Sequence, residues 1–256
     1  NGDTIAFGSG PIIAFDPTSG TTGGRTNRVF FAWAVGAGGV WQTDDAGATF
    51  TGPMSGSPVS VQRMKFSTDG VAYATDNARA RLNNAWRYQS GSWSNLAVNA
   101  FGITSAFWRT VAPDPTTPGR VVIGAGTGNI NRSDNYGTTF YGSFGSAPLR
   151  SSATIPWMEF THEDSMSAAD ITYDPLTANL LWFAEGIGVW TTSPLASSAQ
   201  PTWTAQTVGN EELIVNQLIA PPGGGVLCGV QDRGVILSTD PEAYPTTNLA
   251  PTGASV

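Results

Sequence analysis

The sequence predicts an all-β fold, a β-propeller of four-stranded antiparallel blades, and three observations carry that prediction. One local pattern recurs five times, at intervals of roughly 45 to 60 residues. A period of that length means that each unit is one supersecondary piece that buries a face only against its neighbours. Within each unit the apolar segments are short, rich in β-branched and aromatic residues, and bounded by Gly, Pro, Asp or Asn, which is a strand signature. No window carries a sustained apolar period of 3.6, so almost no helix is expected. Four-stranded sheets repeated radially make a propeller. A parallel β-helix would need shorter coils, and a single two-sheet sandwich leaves the repeat unexplained.

The units follow in order. The first has Ile12 to Phe15, the turn Asp16-Pro17, Val29 to Trp33, and Gly39 to Thr43. The second has Val61 to Phe66, a turn at Ser67 to Gly70, Val71 to Ala74, and Ala85 to Tyr88. The third has Trp108 to Val111, Asp114-Pro115, Val121 to Gly124, and Ile130 to Ser133. The fourth has Ile171 to Tyr173, Asp174-Pro175, Leu180 to Phe183, and Gly188 to Thr191. The fifth has Ile214 to Ile219, Pro221-Pro222, Val226 to Gly229, and Gly234 to Ser238. A fourth, weaker strand is expected after Phe50, Trp93, Phe140 or Trp203. The blades span roughly residues 10–58, 59–100, 105–145, 165–208 and 212–245 of one domain, with 246–256 as a C-terminal linker or tail. Five repeats make either a complete propeller or part of a seven-bladed one.

Composition narrows the function. The net charge is −7, which argues against nucleic acid, since a phosphate backbone demands a basic surface. No apolar run reaches membrane-spanning length. Cys228 is the single cysteine, so no internal disulfide forms, and it reads as a small buried filler. His162 is the single histidine, which rules out a multi-histidine metal site within the chain. No metal or cofactor is expected. The chain starts at Asn1 with no signal peptide, as a mature product or a segment of something longer would. A composition this acidic, with Lys65 the sole lysine, suits an exported protein.

Two segments share a finer pattern. Thr43-Asp44-Asp45-Ala46-Gly47-Ala48-Thr49-Phe50 and Ser133-Asp134-Asn135-Tyr136-Gly137-Thr138-Thr139-Phe140 both read hydroxyl-x-Asp/Asn-x-Gly-x-Thr-aromatic. Each is expected to be a turn between third and fourth strands. Asp45 or Asn135 would hydrogen-bond nearby backbone amides. Gly47 or Gly137 would take positive φ, and Phe50 or Phe140 would wedge into the blade core. The pattern resembles the Asp-box (BNR repeat) of sialidase-like propellers, a structural fastener rather than chemistry.

The chain further resembles family 74 glycoside hydrolases, the xyloglucanases. Gly39-Val40-Trp41-Gln42-Thr43 with its box is similar to that family's Gly-Leu-Trp-x-Ser blade. Pro156-Trp157 with Asp170 to Pro175 resembles a later blade. Asn210-Glu211-Glu212, Ala220 to Gly223 and Val230 to Gly234 resemble the segment that closes the family's first propeller. The resemblance implies an extracellular β-glucan hydrolase built from two seven-bladed propellers facing a cleft, with one catalytic aspartate from each. Neither aspartate has a matching stretch here, so neither is assigned to a residue of this chain.

Propeller topology places ligands on the face formed by the second-to-third-strand turns and the links between blades. Sugars are held by aromatic faces and planar polar groups, and glycoside cleavage needs two carboxylates about 5 to 9 Å apart. On that face the candidate catalytic acids are Asp232, Glu185 and Glu163. The substrate-binding candidates are Trp157, Trp108, Arg233, Asn129 and His162. Trp157 and Trp108 lie off the shared position held by Trp41 and Trp190, which reads as blade core. A sialidase reading lacks the Arg-Ile-Pro motif that should open it. Asn131-Arg132-Ser133 is a nominal glycosylation sequon.

Two functions compete. One is a carbohydrate-active propeller, a portion of a secreted xyloglucanase or endo-β-1,4-glucanase completed by a second propeller. The other is a non-catalytic propeller that binds a polysaccharide, surface glycan or protein at a cell surface or on a phage tail.

Overall fold

The computed structural model describes residues 12–32, 38–76, 84–96, 108–125, 130–141, 150–151, 155, 157, 169–185, 188–192, 203–209, 213–230, 234–240 and 242–249. Five sheets follow one another along the chain, each led by the strand before a turn. The first contains β1 (Ile12–Phe15), β4 (Val29–Ala32) and β5 (Val40–Thr43). A separate ribbon, β2 (Thr21–Thr22) and β3 (Arg25–Thr26), extends its first turn. The second sheet is β6 (Val61–Phe66), β7 (Ala72–Asp76), β8 (Ala85–Gln89) and β9 (Ser92–Asn95). The third is β10 (Trp108–Pro113), β11 (Val121–Ala125) and β12 (Ile130–Ser133).

The fourth sheet has β14 (Asp170–Tyr173), β15 (Leu181–Glu185), β16 (Gly188–Thr192) and β17 (Trp203–Ala205). A short β13 (Arg150–Ser151) joins its outer edge in parallel with β17. The fifth sheet is β18 (Val215–Ile219), β19 (Val226–Val230), β20 (Gly234–Ser238) and β21 (Thr247–Asn248). Every other pairing is antiparallel and sequential, as meandering hairpins require. Among the described residues only Trp157 has helical backbone, and no helix is long and apolar enough to cross a membrane.

Two expectations about strands need correction. Among the described residues the fourth strands expected at Phe50 and Phe140 are single bridges, Gln42 to Thr51 and Arg132 to Tyr141, and three strands are described in each of the first and third sheets. Residues 246 onward were expected as a linker or tail, yet Thr247–Asn248 pairs with β20 as a fourth strand. In that case pairing satisfies the outer edge of β20, which an unstructured tail would leave open.

One rule governs how the sheets stack. Side chains alternate across each strand, and each sheet turns one face to its predecessor and the other to its successor. Between the first and second sheets lie Ala14, Phe30, Ala32 and Val40 against Met64, Ala72, Ala74, Tyr88 and Trp93. Phe30 meets Tyr88 edge-on at 4.9 Å between ring centroids. Between the second and third lie Tyr73 and Ala85 against Val111, Ile123 and Phe140. Between the third and fourth lie Ala112, Val122 and Ile130 against Ile171, Tyr173, Phe183, Trp190 and Trp203, with Ile155 and Trp157 in the same core. The fifth sheet departs from the rule: β18 is exposed along its whole length, although Val230 and Ile236 in its later strands are buried.

Both hydroxyl-led turns fold alike. In the first, Thr43 Oγ1 donates to Asp45 Oδ1 at 2.7 Å and accepts from the Gly47 amide at 2.9 Å. Asp45 then accepts from the Thr49 amide at 2.8 Å and from its hydroxyl at 2.6 Å. In the second, Ser133 and Asn135 take these roles, with the Gly137 amide on Ser133 Oγ at 2.8 Å and the Thr139 amide on Asn135 Oδ1 at 2.9 Å. Asn135 Nδ2 donates to Thr139 Oγ1 at 2.8 Å, replacing the bond that Asp45 accepts. Gly47 and Gly137 lie at φ 91° and 80°, which glycine adopts without strain. The aromatic wedge forms only once: Phe140 is buried in the core with the second sheet, whereas Phe50 is 52% exposed. Phe140 reaches the preceding sheet; Phe50 has no described sheet before it to enter.

These contacts set two expectations. Hydrogen bonds, first from the Thr49 hydroxyl and then from its amide and Thr43, hold the Asp45 carboxyl at about 2, below its ordinary 3.8. A depressed carboxylate stabilises the folded turn above its ordinary value, and that contribution fades as the pH falls from about 4 to about 2. Asp45→Asn, which copies the second turn without the charge, should lower the melting temperature slightly at pH 7 and flatten its decline over that acid window in thermal scans. Trp157→Ala empties a site that is only 2% exposed; it should cost about 3–5 kcal/mol in urea unfolding, as large core truncations do.

Candidate functional site

The first strands of four sheets converge on an axial cavity of about 370 Å³. Ala14 and Phe15 from β1, Lys65 and Phe66 from β6, Pro113 from β10 and Tyr173 from β14 are among its lining residues. Inside this ring lies a charged tie that the sequence analysis missed. Lys65 Nζ, from the second sheet, donates to Asp170 Oδ1 at 3.2 Å and to the Ile171 carbonyl at 2.9 Å in the fourth. Thr110 Oγ1, from the intervening third sheet, donates to the same Asp170 oxygen. Three sheets are thus joined through one carboxylate whose side chain remains 47% exposed. The available signal was that Lys65 is the sole lysine of the chain and stands in a first strand, between Met64 and Phe66.

A second clamp holds the ends of the second and third sheets. Asn84 Nδ2 donates to the Asp76 and Trp108 carbonyls, both at 2.7 Å, while Asn84 Oδ1 accepts from the Trp108 amide at 3.0 Å. Asp76 Oδ2 accepts from Trp86 Nε1 at 2.9 Å. These bonds place the ends of β7 and β10 beside the loop face on which ligands were expected.

The opposite face carries the turns, tied by arginines. Arg28 reaches Asp16 Oδ2 at 3.5 Å and Asp44 Oδ1 at 2.6 Å. Arg120 repeats this, reaching Asp114 Oδ2 at 3.3 Å and Asp134 Oδ1 at 2.8 Å. It also donates to Asn179 Oδ1 of the next sheet at 2.6 Å. Each arginine directly precedes the valine that opens the second strand, and each joins the Asp-Pro turn to the hydroxyl-led turn. That shared placement in two repeats was the overlooked signal. In the fourth sheet Asp174 instead accepts from Trp182 Nε1 at 2.9 Å, and this bond, with the Leu176 and Thr177 amides, holds its carboxyl below the ordinary carboxylate pKa.

The structure revises several candidates. Trp108 and Trp157 were expected as sugar platforms; they are 0% and 2% exposed, so neither offers a ring face for stacking. Both fill space between sheets, where a large apolar side chain contributes most. Trp190 is core as expected, but its counterpart Trp41 is only half-buried on the first sheet's open face. Asn131 of the sequon is fully buried in β12, which closes it to glycosylation in the folded chain. Glu185 ends β15, opposite Gly188. Asp232, Arg233, Glu163, His162 and Asn129 lie outside the described residues, as does at least part of the turn between the second and third strands in each of the five sheets.

The described aspartates have structural partners. All ten described aspartates accept hydrogen bonds from neighbouring groups of the fold. Among the described residues no cluster of histidine, cysteine and acids could hold a metal.

With this geometry in view, the chain can be compared with known proteins. No family profile matches it. A xyloglucanase from a Paenibacillus species is 22% identical over 84% of this chain, which spans 24% of that relative. The crystal structure of a GH74 xyloglucanase from Xanthomonas campestris matches 94% of this chain and 36% of its own, at 20% identity and a TM-score of 0.75. A GH74 enzyme from Niastella koreensis matches 94% of this chain and 37% of its own, at 22% identity and a TM-score of 0.72. The chain therefore has the fold of a portion of a GH74-like β-propeller.

Proposed function

We propose that this chain is the glycan-facing portion of an extracellular, β-glucan-acting propeller protein of the xyloglucanase type, completed by a second propeller. The likeness to the Xanthomonas campestris xyloglucanase, at a TM-score of 0.75 over 94% of the chain, carries this reading. The acidic surface fits a neutral polysaccharide better than a polyanion. Asn129, His162 and Arg233 supply planar hydrogen-bonding groups from the loop face. Glu163, Glu185 and Asp232 are the acids placed there by the repeat, and cleavage would need two of them at about 5 to 9 Å.

One observation favours a second reading, binding without cleavage. The described aspartates are committed to turns and inter-sheet ties, so none of them is free of structural duty. On this reading the chain holds glycan, and hydrolysis belongs to the larger protein.

Affinity electrophoresis in xyloglucan gels and reducing-end release together separate the two. The chain alone should be retarded by xyloglucan and release no reducing ends. Arg233→Ala should weaken retention about tenfold, the scale of one lost charge-assisted hydrogen bond. Mobility that ignores the polysaccharide would remove the glycan-facing role. Release of reducing ends by the chain alone, abolished by Glu163→Gln or Asp232→Asn, would replace the binding reading with catalysis. Lys65→Gln should leave retention unchanged and lower stability by about 1 kcal/mol or less, because the ion pair with Asp170 is partly exposed.

A further inference from the structure

One level of the axis carries polar groups that the fold leaves open. The first strands of the second, third and fourth sheets line the axis and run toward their turns, so a residue early in such a strand lies toward the loop face. Four positions before the turn stand Arg63 ahead of Ser67, Thr110 ahead of Asp114 and Asp170 ahead of Asp174. Asp170 receives three hydrogen bonds, and all fall on Oδ1: from Thr110 Oγ1, from Lys65 Nζ at 3.2 Å and from the Ile171 amide at 2.9 Å. Oδ2 receives none, and the side chain is 47% exposed. Arg63 has donors to match. Its Nη1 donates to the Gln62 carbonyl at 3.0 Å, while Nε and Nη2 donate to no group of the fold. Arg63 shares one side of β6 with Lys65, two residues on, and the Lys65 bonds show that this side turns toward β14. No ion pair joins Arg63 to Asp170.

We infer that Arg63 and Asp170 form a hydroxyl-binding subsite at the loop end of the axis, and that its ligand is a neutral vicinal diol of a sugar ring. One hydroxyl donates to Asp170 Oδ2, and the neighbouring oxygen accepts from the Arg63 guanidinium. A bare carboxylate oxygen repels an anion, and Arg63 with Lys65 repels a cation. That leaves a neutral group able to donate and accept at once, as hydroxyls do. Both side chains are half-buried, so each bond to the ligand is charge-assisted and only partly exposed to competing water. The three donors on Oδ1 fix the plane of the carboxylate before a ligand arrives, which spares ordering cost on binding. Lys65, Thr110 and the Ile171 amide hold that oxygen jointly and make no ligand contact. The subsite deepens the glycan-facing reading and rests on it.

Calorimetric titration of the chain with cellotetraose, a neutral β-1,4-glucan fragment, tests it. The chain should bind. Asp170→Asn, which puts a donor where Oδ2 accepts, and Arg63→Gln should each weaken binding at least about tenfold, the scale of one charge-assisted hydrogen bond. Arg63 has a single printed side-chain bond, to its neighbour's carbonyl, so Arg63→Gln should melt with the unsubstituted chain and carries the test if Asp170→Asn unfolds. Binding that both folded variants keep would overturn the subsite and leave the glycan-facing reading standing. Xyloglucan retention without cellotetraose binding would also overturn the subsite alone; loss of both would overturn the reading with it. Tighter binding of an oligogalacturonate, lost in Arg63→Gln but kept in Asp170→Asn, would assign Arg63 to an anion and overturn the neutral diol.

Discussion

A sheet of this protein is apolar on both faces, and that constraint organises the rest of the structure. Sheets with one wet face alternate polar and apolar residues. Here the first sheet turns Ala14, Phe30 and Val40 one way and Ile13, Phe31 and Trp41 the other. Such a sheet cannot be stable alone, because half its apolar area would face water at about 25 cal/mol per Å². It needs a neighbour on each side. Repetition along the chain supplies those neighbours in order, and the three buried cores are the result.

Apolar packing is non-directional, so polar contacts must set the angles and offsets between sheets. They act at three levels. On the turn face, Arg28 and Arg120 each join two turns of one sheet, and Arg120 reaches on to Asn179 of the next. At the opposite ends of the strands, the Asn84 amide reads both the donor and the acceptor of Trp108, which fixes the second sheet against the third. Near the axis, Asp170 gathers Lys65 and Thr110. The partly exposed pair of Lys65 and Asp170 adds little stability; its value is geometric, since it closes only at one offset between sheets.

That division of labour explains where function can reside. A scaffold that commits its described aspartates to turns and ties is rigid on one face and leaves the other face's loops to carry specificity, as loop-borne sites on rigid frames do. The likeness to GH74 enzymes is a likeness of this scaffold. It extends over nearly all of the chain and over little more than a third of the solved enzymes, and it is a likeness of fold.

The order and positions of the strands were legible in the residues, because the signals are local. Val61 to Phe66 and Ile130 to Ser133 were read at the bounds they adopt, since alternation and bounding turns act within a few residues. The hydroxyl-led turns were legible for the same reason: Thr43, Asp45 and Thr49 find one another across four positions. Partners far apart in the chain were not legible. Lys65 and Asp170 are 105 positions apart. Trp108 and Trp157 look free in sequence because they stand off the position that Trp41 and Trp190 share, yet they fill gaps between sheets. The sequence by itself determined which segments form strands and how their turns close, since those energies are local. Only the tertiary structure decided which equivalent residues are covered, Phe140 but not Phe50, because burial depends on the neighbouring sheet and not on the residue's own repeat.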